Sequence, residues 1–94
     1  MRTILKVTIP VEAGNKSLTD GRLQRIVEST MQSLKPEAAY FYPEGGKRHA
    51  MFVFDMKSSS DMPGIAEPFF QELNADVVLS PCMNPADLAA GLKK

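Results

Sequence analysis

Apolar and polar positions along this chain follow two periods in turn. From Arg2 to Ile9 they alternate, with Leu5, Val7 and Ile9 on one side and Ile4, Lys6 and Thr8 on the other. That pattern predicts a strand. Pro10 ends it, because proline has no N–H to offer the next ladder bond. A polar stretch through Gly14, Asn15 and Lys16 then leads to a segment of helical period. Over Thr19–Leu34, residues Leu23, Ile26, Val27, Thr30, Met31 and Leu34 recur at three- and four-residue steps and predict one apolar stripe. Arg22, Arg25, Glu28 and Gln32 take the opposite side. Ser17 and Asp20 have capping-box spacing, with Thr19 as the rival N-cap. Lys35 suits the negative end of the helix dipole and Pro36 stops propagation.

Alternation returns at Ala38–Tyr42, which sets Ala39 and Phe41 against Tyr40 and Tyr42. A turn over Pro43–Lys47 with its glycine pair predicts a hairpin, returning along His49–Met56. The returning strand is apolar on both sides: Ala50, Phe52, Phe54 and Met56 on one, Met51 and Val53 on the other. A strand covered on both sides belongs at the centre of a sheet. Beyond the polar link Ser58–Asp61, Ile65, Phe69 and Leu73 predict a second helix starting at Met62 or Gly64. Pro68 predicts a kink or a late start within it. Asp76–Ser80 reads as a last strand. Asn84, Pro85 and Asp87 then predict a capped terminal helix reaching Leu92.

The order is therefore β-α-β-β-α-β with a helical tail, in one domain spanning 1–94. It predicts an α+β, ferredoxin-like sandwich with a four-stranded antiparallel sheet and a short C-terminal helix. Two helices cover only one sheet face. The wholly apolar set Leu5, Val7, Ile9, Ala50, Phe52 and Phe54 is expected beneath them. Ile4, Lys6, Thr8, Tyr40, Tyr42, His49, Met51, Val53 and Asp55 are then left on the other. Such a mixed face marks a partner surface or a ligand site, and a one-residue slip in register would exchange the two sets.

Composition narrows the partners. Eleven Lys and Arg balance eleven Asp and Glu among 94 residues, giving zero formal net charge. That excludes the cationic surplus on which generic nucleic-acid and membrane-surface binding rest. RNA-recognition domains share this topology, but Met51 stands in Lys47–Phe54 where a stacking aromatic belongs. One cysteine, Cys82, permits no intrachain disulfide and makes a reducing, cytoplasmic setting the expectation. No apolar run approaches the ~20 residues of a membrane span, and Arg2 and Lys6 do not fit a signal peptide. One Cys and one His give no zinc-ligand spacing, and Glu44–Arg48 lacks phosphate-loop spacing. No metal or cofactor is expected.

The candidate chemistry lies on the mixed face. His49 is the candidate general base, histidine being the residue type suited to that role, with Tyr40 and Tyr42 beside it as hydrogen-bonding or stacking groups. Lys6, Met51, Val53 and Asp55 are the candidate ligand contacts. Lys6 and Asp55 sit on adjacent central strands and are expected to form an ion pair across the face.

The strand–helix–hairpin–helix–strand order and half-apolar free face resemble the dimeric α+β barrel group of small bacterial proteins. Glu67-Pro68-Phe69-Phe70, Val77–Leu79 and Pro81-Cys82-Met83-Asn84 are similar to stretches in short bacterial proteins of that kind. The resemblance implies a homodimer packed sheet to sheet. It also implies either a small-molecule-binding protein or a cofactor-independent monooxygenase or isomerase acting on a small aromatic or quinol-type substrate. A purely structural dimer is the third possibility.

Overall fold

The computed structural model describes residues 1–93. Its elements run β1 (Arg2–Ile9), α1 (Val11–Asp20), α2 (Arg22–Leu34), β2 (Ala38–Glu44), β3 (Lys47–Asp55), α3 (Met62–Leu73), β4 (Asp76–Pro81) and α4 (Pro85–Leu92). A 3₁₀ turn at Ser59–Asp61 precedes α3, and Ser58 caps it by accepting from the Ser60 N–H. The four strands form one open antiparallel sheet in the order β2-β3-β1-β4. The chain is an α+β domain. Its central strands are β1 and β3, the position that the doubly apolar pattern of β3 implies.

Side-chain parity follows the expected registers. Leu5, Val7 and Phe52 are fully buried, and Ile9, Ala50 and Phe54 nearly so, all on the helix-facing side. They join Ile26 of α2 and Phe69 and Leu73 of α3 in one core. Each such side chain removed from water contributes roughly 1.5–3 kcal/mol, so this layer accounts for the fold's cohesion. At the hairpin tip Gly45 and Gly46 both hold left-handed backbone, φ +60° and +76°. That makes a two-residue turn, and Pro43, Glu44 and Lys47 fall within the ladder instead of the loop.

Four expectations need correction. The single helix predicted from Thr19 is two helices, α1 starting directly after Pro10 and α2 after a break at Gly21, φ +86°. The stretch around Gly14 is helical because its inward positions are small. A Cβ on Gly14 would stand 3.2 Å from Ile9 Cγ2 and 2.6 Å from the movable end of Arg48, so α1 packs tightly on β1 at this point. A search for large apolar side chains at helical spacing has nothing to find there. Ser17 and Thr19 accordingly are not caps: Ser17 is buried and donates to the Gly14 carbonyl, and Thr19 donates to the Asn15 carbonyl. Met31, placed in the apolar stripe, is exposed. The late start at Pro68 does not occur either. Helix α3 runs as one element from Met62, and the Gly64 carbonyl that Pro68 cannot reach belongs to an exposed residue open to water.

Candidate functional site

The helices cover one face of the sheet, and the other is bare. Its side chains form rows across the strands. One row is Ala38–Val53–Ile4–Ser80, the next Tyr40–Met51–Lys6–Val78, and the third Tyr42–His49–Thr8–Asp76. Tyr40 is 60 % exposed and Val78 53 %, while Ile4, Met51 and Val53 are half-buried only by their neighbours in the sheet. The structure brings Tyr40, Met51 and Lys6 into one row and Tyr42 and His49 into the next. Val78, Ser80 and Asp76 of β4 belong to the same face. Extending the alternation through Asp76–Ser80 would have found them.

His49 is held from three sides. Its Nε2 lies 2.9 Å from the Glu44 carbonyl, which only accepts, so Nε2 carries the proton. Nδ1 of the neutral ring then accepts from the Thr8 hydroxyl at 3.2 Å. The Tyr42 ring stacks on the imidazole, with centroids 5.4 Å apart and planes 13° apart. A hydroxyl bonded to an imidazole whose far nitrogen is oriented by a carbonyl has the outline of a nucleophile–base pair. It lacks an oxyanion hole: the N–H groups of β1 and β3 around it belong to the ladder. The ring therefore ties the hairpin end of β3 to β1.

The expected Lys6–Asp55 pair does not form. In register Lys6 faces Met51 and Val78, whereas Asp55 faces Arg2 at the sheet end. Asp55 instead receives the Met1 amino group at 2.6 Å and Lys57 Nζ at 2.5 Å. The Lys57 hydrogen bond, then that of the amino group, holds its carboxyl at about 2. Lys6 makes no ion pair among the described residues, standing exposed in the middle of an otherwise uncharged row.

A second polar cluster, absent from the sequence reading, closes the same end of the face. Arg2 donates to Glu37 at 2.6 Å and to Asp87 at 3.3 Å, so it links β1 to the segment before β2 and to α4. Its guanidinium is pushed above the ordinary arginine value, first by the Glu37 hydrogen bond. Asp87 also accepts from the Asn84 N–H while Asn84 accepts from the Asp87 N–H, so the N-cap the sequence predicts is a full capping box. Met1, Arg2, Pro81, Cys82, Met83 and Asp87 border a shallow cleft of about 500 Å³ where α4 leaves the sheet.

Among the described residues no three His, Cys, Asp or Glu side chains converge to hold a metal ion. No helix of the described residues is long and apolar enough to cross a membrane. Compared with known protein families, the chain matches no family model. Compared with curated proteins, it matches none.

Proposed function

We propose that this chain is a ferredoxin-like domain of the dimeric α+β barrel kind. In this reading it pairs sheet to sheet with a second copy and binds a small molecule on or beside the open face. The strand order β2-β3-β1-β4, with strands β1 and β3 central and helices on one side, supports the fold assignment. The row Tyr40–Met51–Lys6–Val78 is the observation that carries the function. It spans the full width of the sheet, setting Tyr40, Met51 and Val78 around an ammonium that makes no ion pair among the described residues. Apolar surface of that extent favours being covered. A covered ammonium needs an anion, which a small acidic molecule would supply.

Native mass spectrometry of untagged protein tests both parts at once. A dimer carrying extra mass supports the whole reading, and a bare dimer supports only the pairing. A bare monomer at micromolar concentration overturns the sheet-to-sheet arrangement. Val53→Asp and Lys6→Glu should each dissociate the dimer in light scattering, and a variant that stays dimeric removes that face from the interface.

The Thr8–His49 hydrogen bond favours a second reading, a cofactor-independent monooxygenase or isomerase with Tyr40 and Tyr42 lining the substrate. Turnover of a small quinol that His49→Ala abolishes would establish it. Unchanged turnover would leave His49 as a structural tie.

A further inference from the structure

The helices close the middle of the sheet but leave its β2 edge open near the hairpin. Phe41 belongs to the helix-side row Phe41–Ala50–Val7–Val77, yet it is 55 % exposed. Its ring stands edge-on to Phe52, with centroids 5.7 Å apart, beside the small Ala50. A hollow of about 320 Å³ results, bounded by Leu23 and Val27 of α2, Phe41 of β2, Ala50 of β3 and Phe69 of α3. Arg48 also lines it, half-buried and in no ion pair among the described residues. Gly14 leaves room for the guanidinium, since the place of a Cβ there is 2.6 Å from Nη1. Nη2 donates to Asn15 Oδ1 at 3.1 Å. That bond uses one of the five N–H donors a guanidinium carries, and no carboxylate of the described residues lines the hollow.

The geometry points to a binding site for a small aromatic monocarboxylate, its ring in this hollow and its carboxylate on Arg48. Charge selects the ligand's head: a planar guanidinium with free donors matches a carboxylate two bonds at a time. Partial burial weakens the screening by water and so strengthens that attraction. The hollow selects the body. Its walls are apolar, and Phe41 and Phe69 offer ring edges and faces to an aryl group. Its volume is at the small end of the range for ligand sites, about 300–1,000 Å³, which suits one ring on a short chain. Tyr42 and His49 also border the hollow, but the imidazole is committed to Thr8 and the Glu44 carbonyl, which leaves Arg48 as the anion's partner. This site is on the opposite side of the sheet from Lys6, and it needs no second copy of the chain.

The test titrates the full chain with phenylacetate and, separately, with its neutral counterpart phenylacetamide, following backbone amide NMR shifts. Phenylacetate should bind with a Kd of about 1 mM or tighter, moving the amides of Leu23, Val27, Phe41 and Ala50. The amide should bind at least about tenfold more weakly, because a charged hydrogen-bonded pair is replaced by a neutral one. Arg48→Gln should bring the acid down to the level of the amide and leave the amide unchanged. The amide spectrum reports whether that variant folds, and the two probes on the unaltered chain decide the matter if it does not. No saturable shift up to about 10 mM phenylacetate overturns the site. Shifts confined to the open face around Lys6 and Val78 also overturn it, as does equal affinity for acid and amide. None of these failures bears on the sheet-to-sheet pairing, which native mass spectrometry reads independently.

Discussion

The two faces of this sheet are made by the same strands and differ in almost everything else. On the helix side Leu5, Val7, Ile9, Ala50, Phe52 and Phe54 form a wholly apolar layer closed by α2 and α3, with Arg48 at its edge. On the open side the intervening residues mix Lys6, Thr8 and His49 with Ile4, Met51 and Val53. Alternation forces this: neighbouring residues point to opposite faces, so one strand carries two independent instructions. The inner set specifies a fold. The outer set is not needed to close that core.

Truncation should separate the faces most sharply. Phe52→Ala, which opens a cavity at a fully buried site, should cost about 3–5 kcal/mol in urea unfolding. Met51→Ala, one residue along but on the open face, should cost less than about 1 kcal/mol at concentrations where the protein is monomeric. If Met51→Ala costs as much as Phe52→Ala under those conditions, the open face is covered within a single chain and the contrast fails.

Next in size is the inner layer's tolerance of bulk. Gly14→Leu should destabilise by about 1–3 kcal/mol, because a leucine there displaces the end of Arg48 and overpacks against Ile9. An unchanged unfolding midpoint would mean that α1 is not pressed against the sheet. On the open face, Thr8→Val keeps the shape and removes one hydrogen bond to His49, which should cost about 0.5–1.5 kcal/mol. A neutral result in urea titration would show that the Thr8–His49 bond adds nothing to the sheet.

The smallest effect concerns the sheet end. Asp55, held at about 2 by Lys57 and the Met1 amino group, binds its proton more weakly in the folded chain than in the unfolded one. Its contribution to stability is therefore complete above the usual carboxylate value of about 4 and is lost as pH falls toward 2. An NMR titration of the Asp55 carboxyl with a midpoint near the ordinary value would show that the exposed pair is screened away.

Much of the molecule was legible from residue order because burial leaves a period. The β3 segment advertised its central place through apolar residues on both sides, and Asn84 with Asp87 announced the α4 cap. Helix α1 was illegible for the converse reason, since Gly14 and Ser17 are buried through being small and leave no apolar mark. At the candidate site, parity placed Lys6, Tyr40, Tyr42, His49, Met51, Val53 and Asp55 on one face, and the strand pairing puts them there. The expected Lys6–Asp55 contact failed because parity assigns a face and not a row. Asp55 lies opposite Arg2, two same-face rows beyond the one that holds Lys6.

Sequence by itself determined the four strands, most of the helices, the face each strand residue takes and the zero net charge of the chain. These depend on local periods and on composition. The tertiary structure alone decided which groups meet: His49 between Thr8 and the Glu44 carbonyl, Asp55 beneath the Met1 amino group, and Arg2 between Glu37 and Asp87. Such meetings join residues up to 85 positions apart. They are set by strand register and by where the chain returns, and no local pattern of residues encodes those distances.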